Sequence, residues 1–216
     1  MTYYYNDSES DFVGADNVDT YARDIMIQAW NKLYGRDPTL AERQLSQAIG
    51  RLETYYGRAG QFKGSHNWGA VQHSRPKDGE CPPGSFLGRD TMDGSKKTEY
   101  AICERSYPND LEGATHMLKI LSRTPEEKAA LQSGSAGALA RAMKAAGYYG
   151  ASTNLYHKAI WTNSQDIAKN CGENLAVTHD GSSASSSGSL TGGAGPFLAL
   201  AAVGAGIFFW TKRGKK

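Results

Sequence analysis

Residues 37–57 read DPTLAERQLSQAIGRLETYYG, and the order of residue types in this stretch decides what the domain around it must be. Thr39 followed three residues later by Glu42 is a capping box, in which each side chain satisfies the other's free backbone N–H, so a helix opens here. Leu45, Ile49, Leu52 and Tyr56 then fall at offsets of four, seven and eleven, which places them on one side of that helix and marks it as packed against a core. Glu53 follows Leu52 and stands four residues after Ile49, so it projects from the flank of the buried face close to the helix end. Such a glutamate is either a solvated acid paired with Arg51 or Arg58, or a carboxyl held among apolar neighbours.

Working outward, Val18, Tyr21, Ile25, Met26, Ala29, Trp30 and Leu33 recur at helical spacing and predict a first helix that Gly35 stops. Helical character returns over residues 111–121. It returns again after Thr124, Pro125 and Glu127, a second capping box with proline at the first helical position, and is expected to run unbroken to Ala146 before Gly147. A last helix is expected over 153–169. Residues 57–110 are rich in Gly, Pro, Asp and Lys with short β-compatible runs such as 99–107, EYAICERSY, and read as loops plus a small hairpin lobe. The expected fold class is therefore α+β, predominantly helical, with a small β-hairpin lobe.

The chain has 216 residues, enough for one domain with a core and an added tail. Lys and Arg total 24 against 22 Asp and Glu, but Lys212, Arg213, Lys215 and Lys216 close the chain; the 20 that remain before them leave the body at −2. No basic stripe interleaves with aromatics, so nucleic acid is not an expected partner. Cys81, Cys103 and Cys171 make an odd count without a CxxC motif, and His66, His73, His116 and His157 form no ligand set by spacing. No metal and no cofactor are expected. Cys81 and Cys103 bracket the hairpin segment and either join as a disulfide in an oxidising compartment or remain thiols.

Residues 1–16 lack a signal-peptide pattern and read as a loose leader, with the folded domain over 17–174. Residues 175–191 begin a Gly/Ser linker, HDGSSASSSGSLTGGAG at 179–195. Residues 192–211 follow as a transmembrane helix: from Gly192 to Trp210 there is no charge, and about 19 residues of helix reach roughly 28 Å. Trp210 and the basic tail 212–216 form an interface anchor with a positive flank, which by the positive-inside rule keeps the C-terminus cytoplasmic. That orientation places the domain beyond the membrane with no signal peptide before it; either the charge rule is overridden and the domain is cytoplasmic, or the protein inserts in an unusual setting such as the membrane of a virus particle, and the expected location is a single-pass protein of a virion membrane or a bacterial cell envelope.

Three segments in order, LETYYGR (52–58), GSHNWGAVQ (64–72) and AAGYYGASTNLYHKAI (145–160), resemble the lysozyme-like peptidoglycan hydrolases, in particular glucosaminidases of the flagellar and autolysin type. The resemblance covers about residues 20–170. It implies a lysozyme-like catalytic domain in which Glu53 occupies the catalytic-glutamate motif. Residues 66–72 then match the segment lining the cleft, contributing Asn67, Trp68, Gly69 and Gln72, and Tyr148, Tyr149 and Tyr156 belong to the turn and helix near the domain's end. It also implies a second acid in the hairpin lobe. That lobe offers Glu80, Asp90, Asp93, Glu99 and Glu104, and Glu99 is the choice because it opens the most strand-like run. The lobe matches the family's pattern poorly.

The chemistry can be read beside that resemblance. Cleaving a glycosidic bond requires a carboxylic acid still protonated near neutral pH, able to protonate the leaving oxygen. Flanking Glu53 with Leu52, Tyr55 and Tyr56 and placing it at a helix C-terminus both disfavour its charged form. Tyr and Trp rings supply flat surfaces for sugar C–H faces. The expected function is a membrane-tethered peptidoglycan glycosidase, a glucosaminidase or muramidase acting through Glu53, with glycan strands, a lipid membrane and proteins of a virion or cell envelope as partners. A lytic transglycosylase using Glu53 alone is the alternative, and a non-catalytic saccharide-binding or structural membrane protein is the alternative of another class.

Overall fold

A computed structural model describes residues 17–91 and 99–180. The expected leader (1–16), most of the linker, the expected membrane span (192–211) and the basic tail lie outside them. Among the described residues no helix is long and apolar enough to cross a membrane. The described chain is α+β: helices α1 (Val18–Tyr34) and α2 (Leu40–Thr54), strands β1 (Gln72–Ser74), β2 (Ser85–Thr91) and β3 (Glu99–Arg105), then helices α3 (Asp110–Leu121), α4 (Pro125–Gln132), α5 (Ala136–Ala145) and α6 (Thr153–Asn170).

Helix α2 is the centre of the molecule. Its capping box forms as expected, with Thr39 accepting from the Glu42 N–H and Glu42 from that of Thr39. It packs against α1, α3, α4 and α6. The apolar stripe is buried at Leu45, Ile49 and Tyr56, but so is the rest of the helix from Glu42 to Gly50. The polar side is covered by the segment that follows α6. The Gln44 side chain donates to the Asn174 carbonyl and accepts from the Ala176 N–H, both at 2.9 Å, and Arg43 pairs with Glu173. Gln47 reaches the other way, to the Asp19 carbonyl at 2.9 Å. Buried amides survive in a core only when both ends are satisfied, as those of Gln44 are.

Two expectations are corrected. The helix expected from 125 to 146 is two helices, because Gly134 adopts φ +70 and the Ser135 hydroxyl caps a new start by accepting from the Ala138 N–H. Residues 175–180, expected as the start of the linker, are docked: Val177 is 3% exposed, and Ala136 N–H donates to the Thr178 carbonyl at 2.9 Å.

The β lobe holds the expected hairpin, β2 with β3, and adds β1 on the other edge of β3, giving an antiparallel sheet of order β1-β3-β2. Asp90 faces Tyr100, Gly88 faces Ile102, and Glu104 faces both Phe86 and Gln72. Cys81 and Cys103 are joined. This bridge closes a loop of sequence separation 22, so its reduction is expected to cost about 3 kcal/mol of stability. Denaturant unfolding with and without reductant measures it, and coincident midpoints would refute the expectation.

Candidate active site

Helix α2 delivers Glu53 one residue before its last, and the backbone then turns sharply. Tyr55, Tyr56 and Gly57 follow with φ of 49, 61 and 77. Two consecutive tyrosines in the left-handed region cost on the order of 1–3 kcal/mol each. Tyr56 is held there by full burial and a hydrogen bond from its hydroxyl to Asp19 at 2.7 Å. Two further strained residues, His66 and Ala70 (φ 53 and 47), flank the loop that carries Asn67, Trp68 and Gly69. Four of the five non-glycine residues with positive φ among the described residues thus lie in the two loops beside Glu53, which is where functional sites concentrate such geometry.

The Glu53 side chain is half-buried, and its carboxyl accepts a hydrogen bond from the Tyr156 hydroxyl. Burial pushes its pKa up to about 8; the Tyr156 bond opposes that rise and the charge of Asp90 adds to it. Tyr156 is itself buried, and its ring stacks on Tyr149 at 3.7 Å with the planes 10° apart. The donor that orients Glu53 is therefore fixed in a packed aromatic pair.

A second carboxyl with the same property is Glu104. It is 2% exposed, and burial followed by the charges of Asp90 and Glu53 raises it to about 8. Its Oε2 atom has no hydrogen-bond partner among the described residues. A side chain at Gly88 would strike Glu104 Cγ at 2.9 Å, so the glycine makes the room in which this carboxyl sits. Asp90, by contrast, is well solvated by protein: Gln72 Nε2 and the Tyr100 hydroxyl donate to its Oδ2 at 2.7 and 2.8 Å. The arrangement is one hydrogen-bonded carboxylate, Asp90, next to two carboxyls, Glu53 and Glu104, that burial keeps protonated into the neutral range.

The expected second acid, Glu99, stands elsewhere. It lies at the outer end of β3, on the opposite face from Glu104, with its carboxylate on Arg89 at 2.5 Å. The acid whose charge acts on Glu53 is Asp90, and Asp90 and Glu53 together act on Glu104. Strand alternation was the signal for them: Tyr100, Ile102 and Glu104 share a face, and an apolar Ile102 marks that face as the inner one.

The residues expected to line a cleft are mostly buried in the domain. Asn67 is fully buried and braces its own loop, exchanging side-chain bonds with Val71 N–H at 2.8 Å and Val71 carbonyl at 3.1 Å. Trp68 is fully buried and donates to Asp110 at 2.9 Å. Gly69 packs against Met117, where a Cβ would come within 2.9 Å, and its carbonyl accepts from the Tyr148 hydroxyl at 3.2 Å. Tyr149 donates to the Ala140 carbonyl at 2.7 Å. Only Gln72 and Tyr156 reach the carboxyl cluster directly.

Asp110, which no sequence signal picked out, organises the loop. At the start of α3 it accepts from Arg58 (2.7 Å), Tyr21 (2.8 Å), Trp68 (2.9 Å) and His66 (3.0 Å). Burial alone would raise its pKa, but Arg58 and the Trp68 and His66 bonds hold it below the usual carboxylate range. One turn on, Gly113 lies where a Cβ would be 1.8 Å from the His66 carbonyl oxygen, so helix and loop can meet only at glycine.

The two raised carboxyls have a stability consequence. Each holds its proton more tightly folded than unfolded, so its contribution is complete below the unfolded value near 4.5 and is lost as pH rises through about 8. Glu104→Gln is expected to be more stable than the parent at pH 9 by on the order of 2–4 kcal/mol and equal to it near pH 4. Urea unfolding across that range decides it; a parallel offset at every pH would contradict the buried-acid assignment.

No family model matches this sequence, and neither a curated protein nor a solved structure matches the chain.

Proposed function

We propose that the domain is lysozyme-like and cleaves the glycan strands of peptidoglycan, with Glu53 as the general acid. The observation that carries this reading is Glu53 itself: a carboxyl at a strained helix end, raised to about 8, oriented by Tyr156 and facing further acids of the β lobe. An acid with those properties is protonated at neutral pH and can give its proton to a glycosidic oxygen. The order of the LETYYGR, GSHNWGAVQ and AAGYYGASTNLYHKAI segments supports the same class.

Two mechanisms share that acid. In hydrolysis a carboxylate of the β lobe activates water, and Asp90, the hydrogen-bonded carboxylate of the cluster, suits that task better than Glu104. In lytic transglycosylation the sugar's own hydroxyl attacks and no second base is needed. The raised pKa of Glu104 removes that residue as the base, because a protonated carboxyl accepts no proton, and leaves Asp90 as the candidate for hydrolysis. Purified peptidoglycan digested by the full chain and resolved by mass spectrometry separates them: reducing sugar ends mean hydrolysis, anhydro-muramic ends transglycosylation. Glycan left intact at every pH from 4 to 8 sinks the enzymatic reading and leaves a saccharide-binding or structural role.

The apolar stretch 192–211 and the basic residues after it support a single-pass membrane anchor, in a virion membrane or a cell envelope. The Cys81 to Cys103 disulfide supports a domain on the non-cytoplasmic side, the side the positive flank also implies.

A further inference from the structure

We propose that the folded domain ends in a binding site for a divalent transition-metal ion of the Zn²⁺ class, held by His157, His179 and Asp180. One donor atom from each of the three lies within 4.8 Å of the others, although 22 positions separate the first two in sequence. They are brought together by ordered backbone. His157 stands on α6 and its side chain is 14% exposed. The segment bearing the other two is tied to the start of α5: Thr178 N–H donates to the Gly134 carbonyl at 2.8 Å, and Gly137 N–H to the His179 carbonyl at 2.9 Å.

The side chains already face one another. His157 Nε2 lies 3.8 Å from Asp180 Oδ1 and donates to the His179 backbone carbonyl at 3.0 Å, a proton that a bound ion would displace, and His179 Nδ1 lies 2.9 Å from Asp180 Oδ2. The two imidazole rings are 4.2 Å apart, and Trp161 meets the His179 ring edge-on at 5.4 Å. Tetrahedral donors at zinc distances stand roughly 3.3–3.5 Å apart. Closing from the present spacing takes about 1 Å of movement by His179 and Asp180, both exposed side chains with freedom to make it. Two imidazoles and one carboxylate select Zn²⁺, Co²⁺ or Ni²⁺ over Ca²⁺ and Mg²⁺, which prefer all-oxygen shells.

The fourth position opens into a cleft of about 660 Å³ whose wall includes Asn154, Lys158, Trp161 and Gln165, so water or a small anionic group can complete the shell. The ion would fasten residues 179–180 to α6, immediately before the Gly/Ser-rich sequence. This site is separate from the carboxyl cluster and does not rest on the reading of Glu53.

Isothermal titration of the EDTA-stripped full chain with ZnCl₂ tests the proposal, with MgCl₂ and CaCl₂ as controls. One Zn²⁺ per chain is expected, with a rise in the thermal midpoint on Zn²⁺ alone. His157→Gln and His179→Gln are each expected to weaken binding by roughly 10–100-fold or more. His179 is exposed, so its variant folds as the parent does and keeps the comparison clean. Zn²⁺ heat that is absent up to about 100 μM, or binding unchanged in both histidine variants, which would mean an adventitious ion only, overturns the proposal.

Discussion

The Glu53→Gln variant is expected to fold like the parent and to lose cleavage of peptidoglycan by about 10²–10⁴-fold, the contribution typical of a positioned general acid. Glutamine preserves the shape of the side chain and its carbonyl still accepts from the Tyr156 hydroxyl, so the packed wall of Tyr149 and Tyr156 is undisturbed. What disappears is the transferable proton. The parent's activity should fall as pH rises through about 8, where Glu53 ionises, and the variant's residual rate should lack that limb. Release of soluble glycan fragments over pH 4–10 measures both. A structural glutamate would give the reverse pattern, near-parent activity in a less stable protein, and that outcome removes Glu53 from the chemistry. Above pH 8 the variant should also be more stable than the parent, since its side chain never carries a buried charge.

The largest stability effect is expected at Asp110. Replacing it with alanine leaves the Arg58 guanidinium, 6% exposed, facing an empty position, and strips Trp68, His66 and Tyr21 of a shared acceptor. Breaking a buried ion pair from one side costs about 3–5 kcal/mol. Chemical unfolding of Asp110→Ala measures the loss, and Asp110→Ala combined with Arg58→Met should recover a substantial part of it. A single-variant cost below about 1 kcal/mol, the range of exposed pairs, would contradict the buried hub. The pH signs are opposite at the two sites. Asp110 is lowered, so its contribution is present above the unfolded value near 3.8 and is lost as pH falls through its folded value. Glu53 and Glu104 destabilise as pH rises. The domain is therefore squeezed from both sides, by acid at the Asp110 hub and by base at the carboxyl cluster.

How much of this was legible in the sequence depended on the range of the interaction. The capping boxes at Thr39 with Glu42 and Thr124 with Glu127 are local, and both form as the spacing requires. The break at Gly134 was also local but hidden, since a Ser-Gly-Ser run within a helical pattern permits continuation until one sees Ser135 capping α5. The hairpin could be placed, whereas the face of β3 turned towards Glu53 depended on register and on what lay opposite. Glu99 looked like the opening of a strand; it is the exposed end of one. Trp68 and Tyr148 were readable as aromatic, with core and cleft both open, because the partners that decide between them, Asp110 for Trp68 and Gly69 for Tyr148, are distant along the chain. Asp110 carried no signal at all: four partners from three separate segments converge on it.

The stacked rings of Tyr149 and Tyr156 give the site a property of another kind. Two phenols held parallel at 3.7 Å couple their electronic transitions, and one of them hydrogen-bonds the carboxyl whose ionisation matters most. Loss of the Glu53 proton places a charge directly against that chromophore pair. The near-ultraviolet circular dichroism of the unlabelled protein is therefore expected to change as Glu53 ionises, a titration readable without substrate.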